Sequence, residues 1–108
     1  MTQNKIQKYI LFVGLNDKDT KTQKIPTLAA RDLIQNIILG QGLDGATISE
    51  AIGIYKHDNG QIITEKSVRI EVLFATEKQI LKICQQIKVA LNQESVALES
   101  QQINSRLV

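Results

Sequence analysis

Two β-rich runs, Gly45-Ala46-Thr47-Ile48-Ser49-Glu50-Ala51-Ile52-Gly53 and Ser67-Val68-Arg69-Ile70-Glu71-Val72, restrict what this chain can fold into more than any other feature. In the second, Val68, Ile70 and Val72 recur at every second position, the period of a strand with one buried face. Between the two runs Lys56-His57-Asp58-Asn59-Gly60 is polar and turn-prone, so they read as one hairpin. A three-residue Asp58-Asn59-Gly60 loop, with Gly60 in the left-handed region, places Ile48 opposite Ile70 and Ala46 opposite Val72. A two-residue Asn59-Gly60 turn would set Ile48 against Glu71 and mix the faces, so the longer loop is preferred.

The flanks supply two more strands and two helices. Residues 8–15 are apolar on both pleat faces, with Tyr9, Leu11, Val13 and Leu15 on one and Ile10 and Phe12 on the other. A solvated loop covers 16–23. Pro26 then precedes Thr27, read as the N-cap of a helix whose stripe is Ala30, Leu33, Ile34, Ile37 and Ile38, ended by Gly40 and Gly42. Thr76-Glu77-Lys78-Gln79 is a capping box that opens a second helix, with Ile80, Ile83, Cys84, Ile87 and Leu91 on one face. On the third strand Val68, Ile70, Val72 and Phe74 take one face, and a fourth strand starts at Val96. The tail, 101–108, either extends that strand or crosses a neighbour, and 1–7 is a polar lead-in. The order β-α-β-β-α-β predicts a single α+β domain over 1–108. It is a ferredoxin-like sandwich, a four-stranded antiparallel sheet with both helices on one face.

Such a sheet leaves its second face, with Ile10 and Phe12, in need of a cover. Burial of apolar area at roughly 25 cal/mol per Å² favours association of subunits over an exposed face, the alternative cover being the C-terminal tail folded over it. The formal charge of +2 gives no footprint for nucleic acid or a membrane surface, and no apolar run reaches the ~20 residues of a membrane span. With one cysteine, Cys84, and no signal peptide, the expected location is cytoplasmic. Cys84 lies on an apolar helix stripe and reads as a core residue. His57 beside Asp58 and near Glu65 has the residue types of a metal or acid–base cluster, but its place at a hairpin tip favours a solvated turn. Gly40-Gln41-Gly42 ends a helix rather than opening one, which makes it a turn and not a phosphate loop. These residues imply no catalytic group, no metal and no cofactor, and hence no enzyme.

Gly45, Thr47, Glu50 and Gly53 match the Gly-x-Thr-x-x-Glu-x-x-Gly spacing in the second strand of the PII signal-transduction proteins, and Val68, Ile70 and Glu71 match that family's third strand. Over about residues 43–98 the chain resembles the PII-like superfamily, which also holds the CutA-type proteins. The resemblance implies a homotrimer whose sheets pack inward, and adenine nucleotides in clefts between subunits. Thr47 and Gly53 fall where that family lines its nucleotide cleft, and Arg106 falls near its phosphate-binding arginine. The loop Gly53 to Lys66, with Tyr55, Lys56, His57 and Asp58, would be the surface that touches a partner protein. Two departures stand out: Leu91-Asn92-Gln93-Glu94-Ser95 lacks the family's glycines, and Val108 stands where a second arginine would fall. The loop at 16–26 is also longer than the family's. The function implied is a small regulatory or protein-interaction module, its partner unknown, modulated by a small ligand. The alternatives are an accessory protein of a phage or mobile element that binds a host complex, or a CutA-type metal-binding protein.

Overall fold

The computed structural model describes residues 5–108, so residues 1–4 of the expected lead-in lie outside the described residues. The elements run β1 (Lys5–Gly14), α1 (Thr27–Gly40), β2 (Thr47–Lys56), β3 (Ile62–Val72), α2 (Glu77–Ala90) and β4 (Ala97–Asn104). All four strands form one sheet in the order β2-β3-β1-β4, every neighbouring pair antiparallel. The chain is therefore α+β with the ferredoxin-like element order.

Alternation along the strands decides which face is covered. Tyr9, Leu11 and Val13 of β1 and Val68, Ile70 and Val72 of β3 are buried with Ala30, Ile34 and Ile38 of α1 and Ile80, Ile83 and Ile87 of α2. Each such aliphatic side chain stabilises the fold by about 1.5–3 kcal/mol relative to an exposed one. Cys84 packs at the margin of this core, and burial raises its thiol pKa above the usual value, which keeps it protonated.

The two helices begin differently. In α2 the expected capping box forms, Gln79 N donating to Thr76 Oγ1 at 3.1 Å and Thr76 N to Gln79 Oε1 at 2.9 Å. In α1 the N-cap is Pro26, without a side-chain cap, and Thr27 is already helical. The Thr27 hydroxyl instead accepts from Gln23 Nε2 at 3.0 Å.

The hairpin has the expected register, Ile48 opposite Ile70, and its ladder runs on past Gly53, as a three-residue loop requires. It continues through Gly53↔Glu65 and Tyr55↔Ile63 to Lys56↔Ile62. The turn is confined to 57–61, with Gly60 at φ 86 and His57 N donating to Gln61 O at 2.9 Å. The segment Gly53 to Lys66 is thus the end of a regular hairpin with the expected Asp58-Asn59-Gly60 loop, and Ile62, Ile63 and Thr64, being β-branched, pair readily in it. The result is an arm that runs past the helices and leaves Ile52 72% and Ile54 71% exposed. Of the two alternatives for the tail, extension of the last strand is the one observed: β4 runs to Asn104 and pairs Gln101 with Lys8 and Asn104 with Lys5. Phe74 does not join the buried face: β3 ends at Val72, and Phe74 turns out at φ 61, 59% exposed.

Candidate functional site

The face of the sheet turned away from the helices carries Phe12 and Gly14 of β1, Ser67, Glu65 and Ile63 of β3, and Gly53 and Tyr55 of β2. Where this floor meets the β1–α1 and α2–β4 loops, a cleft of ≈ 480 Å³ opens. That is the size of a site for a nucleoside-sized molecule.

Glu65 is the charged group on the floor. A Cβ at Gly14 would lie 2.5 Å from Glu65 Oε1, so only a glycine there lets the carboxylate lie across β1. The backbone amide of Asn16 donates to Glu65 Oε2 at 2.8 Å. Tyr55 lies back over Gly53, where a Cβ would come 3.0 Å from the phenol oxygen. Burial first, then the charge of Glu65 and a hydrogen bond to it, push the Tyr55 phenol above its ordinary 10.0. Tyr55 thus stays a neutral O–H donor beside an anionic acceptor. Such a pair can hold a cationic group, orient a polar one, or pass a proton.

The rim is built by two loops locked together. Asp17, only 7% exposed, accepts from Asn92 Nδ2 at 2.8 Å and from the amides of Asp19 and Thr20 at 2.9 and 3.0 Å. The Asn92 side chain, then the Thr20 amide, hold its carboxyl well below the ordinary 3.8, at about 2. Lys18 N donates to Asn92 O at 3.0 Å, and Gln93 Nε2 donates to Asn16 O at 2.8 Å. Lys18 and Lys21 border the cleft from one loop and Glu94 from the other.

Of the residues singled out from sequence, Tyr55 and His57 line the cleft and Gly53 lies beneath Tyr55. Lys56 and Asp58 are exposed on the arm outside it. Thr47 is six residues from Gly53 along β2, about 20 Å at 3.3 Å per residue. Arg106 follows β4, whose far end pairs with Lys5, at the opposite end of the sheet. Within one chain Thr47, Gly53 and Arg106 are therefore not brought together. His57 and Glu65 share the cleft without Asp58, and among the described residues no group of three or more His, Cys, Asp or Glu could hold a metal ion. Sequence reasoning did not pick out Lys18, Lys21 or Glu94, and took Glu65 only as a neighbour of His57. The register was the available signal, since it sets Glu65 directly opposite Gly53.

Comparison with known proteins places this geometry. A phage SAM lyase in complex with S-methyl-5′-thioadenosine matches with TM-score 0.65 and 25% identity over 93% of this chain and 90% of the lyase. The GlnK–ATP complex of Bacillus subtilis matches with TM-score 0.62 and 12% identity, over 95% of this chain and 85% of GlnK. CutA from Synechococcus elongatus, complexed with Bis-Tris, matches with TM-score 0.64 and 11% identity, over 99% of this chain and 89% of CutA. The last two carry the fold alone, and the fold is PII-like and CutA-type, as the strand motifs implied. No curated protein matches the chain.

The lyase corrects the expectation that this chain is no enzyme. Similarity at this level over nearly the full length is to an enzyme, and it points to one here. No local motif marks this cleft, because its carboxylate and phenol, ten residues apart, are brought together only by strand pairing. The family described as protein of unknown function, DUF3574, matches residues 8–106, and the chain is a member of that family.

Proposed function

We propose that this protein is a lyase acting on S-adenosylmethionine, with the cleft at Glu65 and Tyr55 as its site. The observation that carries the proposal is the near full-length similarity to a phage SAM lyase bound to S-methyl-5′-thioadenosine. The cleft agrees with it in volume and in holding an anchored carboxylate. A sulfonium substrate is a cation, and Glu65 supplies the opposite charge on a floor shared with Phe12 and Ile63, which suit an adenine and a methylthio group. To yield S-methyl-5′-thioadenosine, the bond from sulfur to the amino-acid side chain breaks and its electron pair stays on sulfur. The substrate's own carboxylate can close on that carbon and form a lactone, so the step needs no water and no added base. Positive sulfur and negative carboxylate neutralise each other, a change favoured where water is excluded. The protein's part is to fold the substrate so that the carboxylate reaches the carbon.

The test is to incubate the protein with S-adenosylmethionine and follow S-methyl-5′-thioadenosine by chromatography. Product is expected with the wild type, with at least a tenfold loss in Glu65→Gln and in Gly14→Ala, whose methyl group displaces the carboxylate. No product with the wild type rejects the proposal.

A second reading, an interaction module of PII-like type, is favoured by the exposed isoleucines of the arm. In that reading the chain is a cytoplasmic homotrimer, Thr47, Gly53 and Arg106 meet across subunits around a small ligand, and Tyr55 to Asp58 present the arm to another protein. A phage-accessory or CutA-type role would use the same surface.

A further inference from the structure

The cleft rim carries charges that neither the fold nor the anchored carboxylate uses. Lys18 and Lys21 border it from the β1–α1 loop and Glu94 from the α2–β4 loop locked to it. Among the described residues none of the three takes part in a salt bridge within 4.0 Å or a side-chain hydrogen bond. Asp17, beside them, is not available to a ligand in the same way, because its oxygens are taken by Asn92, Asp19 and Thr20. Opposite charges left unpaired along one rim match a ligand group that itself carries both signs.

The backbone gives an independent observation. Lys21 sits at φ 63, in the left-handed region that an L-residue other than glycine enters at a cost of roughly 1–2 kcal/mol. Its amide donates to Asp17 O at 2.8 Å, so the conformation is imposed by the closed loop. Glycine would be the least strained residue there. A lysine in that conformation, on the border of the cleft, points to a use for the side chain.

We propose that Lys18, Lys21 and Glu94 form a subsite for the zwitterionic head of an α-amino acid, the lysines taking its carboxylate and Glu94 its ammonium. The subsite rests on the reading of the cleft as an S-adenosylmethionine site, and it assigns the two ends of the ligand. The thioadenosine part lies on the sheet floor, and the amino-acid part reaches the rim. It makes the amino-acid head, and not the nucleoside alone, the element the protein selects.

The experiment compares two uncleavable probes by calorimetry. S-adenosylhomocysteine has the amino-acid head, and S-methyl-5′-thioadenosine lacks it. Lys21→Gly is the informative variant, because it relieves the left-handed strain and so leaves thermal stability unchanged or raised. Loss of a charge-assisted contact predicts about tenfold weaker S-adenosylhomocysteine binding in Lys21→Gly and in Glu94→Gln, with S-methyl-5′-thioadenosine binding unchanged. If both probes bind the wild type and neither variant separates them, the subsite is overturned while the cleft assignment stands. If neither probe binds the wild type, the cleft assignment falls and the subsite with it.

Discussion

Asp17 links the β1–α1 loop to a residue 75 positions away, and its protonation state decides whether that link holds. The folded-state carboxyl lies at about 2, below the ordinary 3.8, because the charged form accepts hydrogen bonds from Asn92, Thr20 and Asp19. A depressed pKa means the contribution is complete above the ordinary value and disappears as pH falls through the folded one. Urea midpoints of the wild type and Asp17→Asn should therefore differ most near pH ~5 and converge toward pH ~2. A gap that stays constant over this range would show that the charge of Asp17 is not what holds the loop. Glu71, whose carboxyl is also held down by Lys8 and then Arg69, titrates alike in both proteins and cancels in the difference. None of this was legible in the sequence. Asp17 reads there as one more polar residue of a solvated segment, since its partner is distant along the chain and leaves no local pattern.

At the level of elements, the helices show what local sequence does determine. The second helix starts where Thr76 and Gln79 say it must, because both halves of a capping box lie within four residues. Thr76→Ala should lower stability by about 1 kcal/mol, measured by chemical denaturation. Thr27→Ala at the first helix removes only a contact from Gln23 and should cost less, about 0.5 kcal/mol. Equal losses at the two positions would mean that the capping box contributes nothing beyond its hydroxyl. The hairpin was half legible. Its register and its three-residue loop followed from keeping Ile48 and Ile70 on one face, but the exposure of Ile52 and Ile54 along it did not, because no local pattern says how far the helices cover the sheet. The site shares that limit. Tyr55 and His57 were singled out for other reasons, while Glu65 gains its role only once Gly14 of a different strand is set beneath it.

For the molecule as a whole, the unbalanced feature is an arm whose isoleucines are left uncovered among the described residues. Ile52, Ile54 and Ile62 are each more than 60% exposed, Ile62 at 66%, within a fold measuring 55 × 28 × 23 Å. Exposed aliphatic residues in that density mark a contact surface. Light scattering coupled to size exclusion should give a mass of three chains for the wild type and a smaller one for Ile54→Glu. A wild-type monomer at every concentration would count against the assembly. The arm has a mechanical consequence as well. Tyr55, His57 and Ile63 ride on it, Lys18, Lys21 and Glu94 belong to the body, and Glu65 sits at the joint, tied to the body by the Asn16 amide, so the cleft is a jaw with one stiff limb and one fixed one. Any bending of the ladder between Gly53 and the sheet proper opens or closes the jaw as a unit. A molecule gripping both limbs ties the free end of the hairpin to the body, and the amides at Ile62 to Thr64 become slow to exchange with solvent although they lie far along the arm.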